Sequence, residues 1–180
     1  MKYITIALLF LGLSLYAQEN EPKIDSSLVA GLKFRNIGPA FSSGRIADIA
    51  IHPGDEQTWY VAVGSGNVWK TQNAGVTWKA IFDDQPSYSI GCITVDPNNP
   101  NTICVGTGEN VGGRHVGYGD GIYRSKDGGK TWKNMGLKAS EHISKIIVHP
   151  DNSDILWVAA QGSLWTPGGE RGLYKSTDGG

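Results

Sequence analysis

The chain has 180 residues, 16 of them basic and 17 acidic, and this balance excludes the basic face of a nucleic-acid binder. Glycine fills 25 positions, and six Trp and seven Tyr are spread along the chain. That composition suits many short strands joined by tight turns, and the length is enough for one ordinary domain with a core.

Residues 1–17, MKYITIALLFLGLSLYA, read as a secretory signal peptide. Lys2 is its charged head, and the apolar run from Ile4 to Leu15 is too short to span a bilayer comfortably. An exported protein is expected, secreted, periplasmic or at the cell surface, with no membrane span once the leader is removed. Residues 18–31 form a polar linker. The segment at 32–41, LKFRNIGPAF, reads as a strand that would complete the last blade of a ring.

From residue 44 onward one unit recurs. RIADIAIHP, SIGCITVDP and ISKIIVHP end at Pro53, Pro97 and Pro150. Each is followed by a polar turn and an apolar run, TWYVAVG, TICVGTG or ILWVAAQG. A loop and a short strand come next, GNVWK, GIYRS or GLYKS. The alternation predicts strand, turn, strand, loop, strand, turn, strand, which is the four-stranded antiparallel blade of a β-propeller. The blades fall at about 44–82, 88–135 and 142–180, the last without its fourth strand. Three blades do not close a ring. The expected fold is therefore all-β, an incomplete N-terminal propeller arc within residues 32–180, and one expected partner is the rest of its own propeller.

The third strand of each unit runs into a repeated phrase. Residues 71–78 read TQNAGVTW, 125–132 SKDGGKTW and 176–180 STDGG. The matched positions are Thr71, Asn73, Gly75 and Trp78; Ser125, Asp127, Gly129 and Trp132; Ser176, Asp178 and Gly180. An Asp or Asn side chain accepts backbone N–H bonds within its own turn, glycine permits positive φ, and Trp covers the turn. Asn73 stands where the other copies have Asp, so these carboxylates are read as structural rather than catalytic. His52, Asp96 and His149, each before Pro, are read as strand-ending turns rather than metal ligands. No metal and no cofactor is expected. Cys92 and Cys104 lie in apolar runs and are read as buried thiols.

Chemistry is expected in the unequal loops on the opposite face. The loop at 106–121, GTGENVGGRHVGYGDG, offers Glu109, Asn110, Arg114, His115, Tyr118 and Asp120. The loop at 161–172, QGSLWTPGGERG, offers Trp165, Glu170 and Arg171. Long loops that repeat nowhere are where binding groups concentrate, and the two are expected to form adjoining walls of one polar pocket.

The repeated phrase resembles the Asp box, or bacterial neuraminidase repeat. Together with GRIADIAIHP, SIGCITVDPNNPN and GTGEN, it makes residues 32–180 similar to a secreted bacterial family with a sortilin-type N-terminal propeller, often labelled glycosyl-hydrolase-like. The resemblance implies a module that binds a protein, peptide or glycan. The alternative it implies is a glycoside hydrolase, xyloglucanase- or sialidase-like, with catalytic carboxylates partly outside this chain. Xyloglucanases resemble YVAVGSGNVWKT but place a catalytic Asp before the Gly pair, where this chain has Gly64 and Ser65. Sialidases carry an early F-R-I-P that Phe34 to Pro39 interrupts, so Arg35 takes no assigned role.

Overall fold

A computed structural model describes residues 44–110 and 116–180, with Ser27, Ala30 and Gly31 before them. The chain divides into two compact units, Met1–Phe41 and Ser42–Gly180. In the first, Ala30 N donates to Ser27 O at 3.4 Å. The signal peptide, most of the linker, residues 32–41, Arg114 and His115 lie outside the described residues.

The second unit is all-β. The first sheet holds β1 (Ile46–His52), β2 (Asp55–Val63), β3 (Val68–Thr71) and β4 (Lys79–Ala80) in that order. The second holds β5 (Ile90–Val95), β6 (Ile103–Thr107), β7 (Ile122–Ser125) and β8 (Lys133–Gly136). The third holds β9 (Ile143–His149), β10 (Asn152–Ala160) and β11 (Gly172–Ser176). Every pairing is antiparallel between sequence neighbours. The expected arc of propeller blades is therefore the observed fold. A 3-10 turn, Lys138–Ser140, links the second and third sheets.

The inner strands β1, β5 and β9 pack side by side. Each carries the same irregularity. Register skips Ala47, Gly91 and Ser144, the second residue of each inner strand, so each strand bends at one level. At Gly91 the backbones crowd together: an added Cβ would meet Ile143 O at 2.2 Å and Gly108 O at 2.4 Å.

Apolar side chains fill both seams. Tyr60, Ala62, Val68 and Phe82 of the first sheet meet Ile90, Ile93, Ile103, Val105 and Tyr123 of the second. Phe82 stands edge-on to Tyr123 and to Trp132, each at 5.1 Å. Between the second and third sheets lie Cys92, Cys104, Ile143, Ile146, Val158 and Ala160. Both cysteines are free and buried.

The turns repeat as closely as the strands. His52 Nδ1 and His149 Nδ1 accept from Gly54 N and Asp151 N, both at 3.1 Å, where Asp96 Oδ1 accepts from Asn98 N at 2.8 Å. After the third strands, Asp127 Oδ1 accepts from Lys130 N and Thr131 N, both at 2.9 Å, and Ser125 Oγ accepts from Gly129 N at 2.9 Å. In the first sheet, Asn73 Oδ1 accepts from Thr77 N at 2.8 Å and Thr71 Oγ1 from Gly75 N at 2.9 Å. Ser176 Oγ accepts from Gly180 N at 2.7 Å. Gly75, Gly129 and Gly180 hold φ of +90°, +89° and +98°, which a side chain would strain.

Candidate functional site on the loop face

Residues 108–110 and 117–119 of the loop after β6 lie beside the inner strands and the links before them. Gly108 N donates to Ser89 O at 2.7 Å, and Glu109 N donates to Gly117 O at 2.9 Å. This pins Glu109 between the first two sheets, 3% exposed. Its carboxylate is fully engaged. Oε1 accepts from Arg45 Nε at 3.0 Å and from Arg45 Nη2, while Oε2 accepts from Gly117 N at 3.2 Å. The Arg45 side chain is about half exposed, so the pair is buried on the carboxylate side and open on the guanidinium side. Arg45 belongs to the start of the first blade and was absent from the sequence-based candidates. Its only sequence signal was a basic residue before an apolar strand.

Glu109 also fills a gap in the neighbouring sheet. A Cβ built on Gly64 would lie 2.5 Å from Glu109 Oε1 and 2.9 Å from its Cγ. The carboxylate of the second blade therefore occupies the space that a side chain at position 64 of the first blade would fill.

Around it the structure gathers Asn110, Tyr118, His142 and Gln161. Asn110 Nδ2 donates to Gly91 O at 2.6 Å, and Gln161 Nε2 donates to Asn110 O at 3.3 Å, which ties the loop of the second blade to that of the third. Gly119 N donates to Glu141 O at 2.7 Å across the same junction. Tyr118 is 58% exposed and its ring centre is 5.6 Å from that of His142. His142 is fully buried, and burial lowers its pKa below the usual imidazole value.

Other candidates make structural bonds within their loops or to a neighbouring link. Asp120 Oδ2 accepts from Tyr123 OH at 2.5 Å, and its backbone N donates to Thr107 Oγ1 at 2.9 Å. Glu170 Oε2 accepts from Ala139 N at 2.9 Å and so clasps the link between the second and third sheets. Arg171 donates from Nη2 to Ser163 O. Ser163 Oγ accepts from Thr166 N at 3.3 Å, shaping a turn that leaves Trp165 64% exposed.

Asp48 and Lys145, at equivalent inner-strand positions, join at 3.0 Å past β5, and Asp48 Oδ2 also accepts from Ile93 N at 3.3 Å. Between them, burial pushes the Cys92 thiol up to about 12, and that of Cys104 to about 11. Neither is a nucleophile near neutral pH.

The chain is 25% identical over 165 residues to a xyloglucanase of Hypocrea jecorina (strain QM6a), covering 84% of this chain and 19% of that protein. It is 33% identical over 107 residues to the xyloglucanase Xgh74A of Acetivibrio thermocellus, covering 47% of this chain and 12% of that protein. Among solved structures, a GH74 enzyme of Niastella koreensis is similar, with TM-score 0.55, 25% identity and coverage of 71% of this chain and 19% of that one. YCF48 from Cyanidioschyzon merolae shares the fold, with TM-score 0.51, 16% identity and coverage of 76% and 35%. The chain spans less than a fifth of the length of the curated relatives it matches. No family model matches it. Among the described residues, no helix is long and apolar enough to cross a membrane.

Proposed function

We propose that this chain is part of a secreted, glycan-directed β-propeller of the glycoside hydrolase kind, and that Glu109 is the carboxylate it contributes. The observation that carries this reading is the place of Glu109 against Gly64. The resemblance to xyloglucanases puts a catalytic Asp at that position, and the sequence alone shows no carboxylate there. Glu109 Oε1 reaches the same space from the adjacent blade, 2.5 Å from the Cβ that Gly64 lacks. Likeness to two xyloglucanases supports a sugar polymer as substrate. The geometry of the turns at Asn73, Asp127 and Asp178 supports the Asp-box reading.

Glycoside hydrolysis uses two carboxyl groups, one protonating the leaving oxygen and one acting as nucleophile or base. Bonded to a guanidinium and a backbone N–H, Glu109 is held in one position, which suits the nucleophile or base role. Arg45 would fix the orientation of the carboxylate. The acid partner would come from residues beyond those described. The test uses the full-length protein, incubated with xyloglucan and other β-glucans, with release of reducing ends measured. Turnover of a glucan is expected. Tight glucan binding without any release would make the protein a binding propeller instead, a second reading that the exposed rings of Tyr118 and Trp165 favour as flat surfaces for sugar rings.

A further inference from the structure

Beside β4, the seam between the first two blades opens into a cavity of about 410 Å3. Three lysines meet there. Lys70 of β3 and Lys79 of β4 come from the first blade, and Lys130 comes from the turn after β7 in the second. Lys70 Nζ donates to Gly128 O at 3.1 Å and stands over the Tyr60 ring at 5.1 Å. Its place in the wall is thereby fixed, and an ammonium has further hydrogens to donate. Burial, then the charges of Lys130 and Lys79, hold the Lys70 ammonium below its usual pKa. Among the described residues, no carboxylate lies within ion-pair distance of the three ammoniums. Asp83 and Asp84 also line the cavity, but Asp83 Oδ1 accepts from Asn67 Nδ2 at 2.7 Å. Like charges drawn together without a counter-ion cost free energy, which an anion bound among them offsets.

We infer that this cavity binds an acidic sugar, with its carboxylate or sulfate group among Lys70, Lys79 and Lys130. The volume is that of a small-ligand pocket and far exceeds a bare tetrahedral anion. Trp132 adds ring surface for the C–H face of a sugar, and Asp84 and Gln85 offer acceptors to its hydroxyl groups. Because Lys79 and Lys130 belong to different blades, the ligand bridges the seam. The cavity shares no residue with the surroundings of Glu109, so the inference is independent of any glucan turnover.

The test titrates the full-length protein by calorimetry with glucuronic acid and with a glucose sulfate ester. Glucose, inorganic sulfate and an oligo-aspartate peptide are the comparisons. Wild type is set against the double variant Lys79→Gln/Lys130→Gln, two exposed positions whose change leaves the Lys70 bond to Gly128 in place. Expected is millimolar or tighter binding of at least one acidic sugar, weakened about tenfold or more in the double variant, weakened by added salt, and about tenfold or more tighter than glucose. Glucose binding as tightly as the acids, or acid binding unchanged in the double variant, would overturn the inference. So would sulfate binding as tightly as either acidic sugar, which would mean an adventitious ion only. Tighter binding of the peptide would overturn it too, making the cavity a docking site for acidic protein segments, as would no binding of either acidic sugar.

Discussion

Asp127 accepts the Thr131 hydroxyl at 2.6 Å as well as two backbone N–H groups. Its carboxyl is held well below the usual carboxylate range, first by the Thr131 hydroxyl, then by the Thr131 N–H and the Ser125 hydroxyl. Asn73 does the same work with an amide, its Nδ2 donating to Thr77 Oγ1 at 2.9 Å. An Asp127→Asn variant is therefore expected to melt close to wild type at pH 7, and Asp127→Ala several degrees lower, roughly 2–5 °C. The pH dependence separates the two acceptors. A carboxyl depressed in the folded state stabilises the fold above its unfolded value, about 4, and that contribution is lost as pH falls through the folded value. Melting temperature plotted against pH should fall less steeply below about pH 4 in Asp127→Asn than in wild type. Equal slopes would mean that Asp127 does not carry the turn.

Inner strands and seams are where single changes spread. Gly91→Ala puts a Cβ against the backbone oxygens of Ile143 and Gly108 and is expected to destabilise by ~1–3 kcal/mol. Phe82→Ala removes a ring that touches both Tyr123 and Trp132 across the first seam and is expected to cost ~3–5 kcal/mol. Urea midpoints check both. Cys92 and Cys104, buried with raised thiol values, should resist a thiol reagent at pH 8 until the protein unfolds; fast labelling of the folded protein would contradict the seam as described. The strands themselves were legible because period-two alternation and the His-Pro or Asp-Pro turns are local signals. The repeat turns were legible for the same reason, since every bond of Asp127 closes within four residues. The site was legible only in its residue types. Glu109 lies 64 positions from Arg45, and its fit against Gly64 arises when two blades close together. Asp120 looked like a ligand group from its glycine-rich setting, yet its partner Tyr123 lies three residues on, within a turn whose geometry the alternation does not encode.

At the scale of the whole molecule, residues 44–180 form an arc of three antiparallel sheets whose loop face holds a buried carboxylate shared between the first two. Gly64 is as much a part of that arrangement as Glu109, because a methyl at position 64 would displace the carboxylate. On the proposed reading, Gly64→Ala is expected to impair glucan turnover while the arc stays folded, as monitored by far-ultraviolet circular dichroism. The proposed role of Glu109 is tested most directly by the rate of reducing-end release from xyloglucan by the full-length protein, wild type against Glu109→Gln, with Asp127→Ala as the structural control. Expected are a loss of about a hundredfold or more for Glu109→Gln, with xyloglucan still bound, and a near wild-type rate for Asp127→Ala below its melting temperature. A Glu109→Gln enzyme that releases reducing ends as fast as wild type would contradict it.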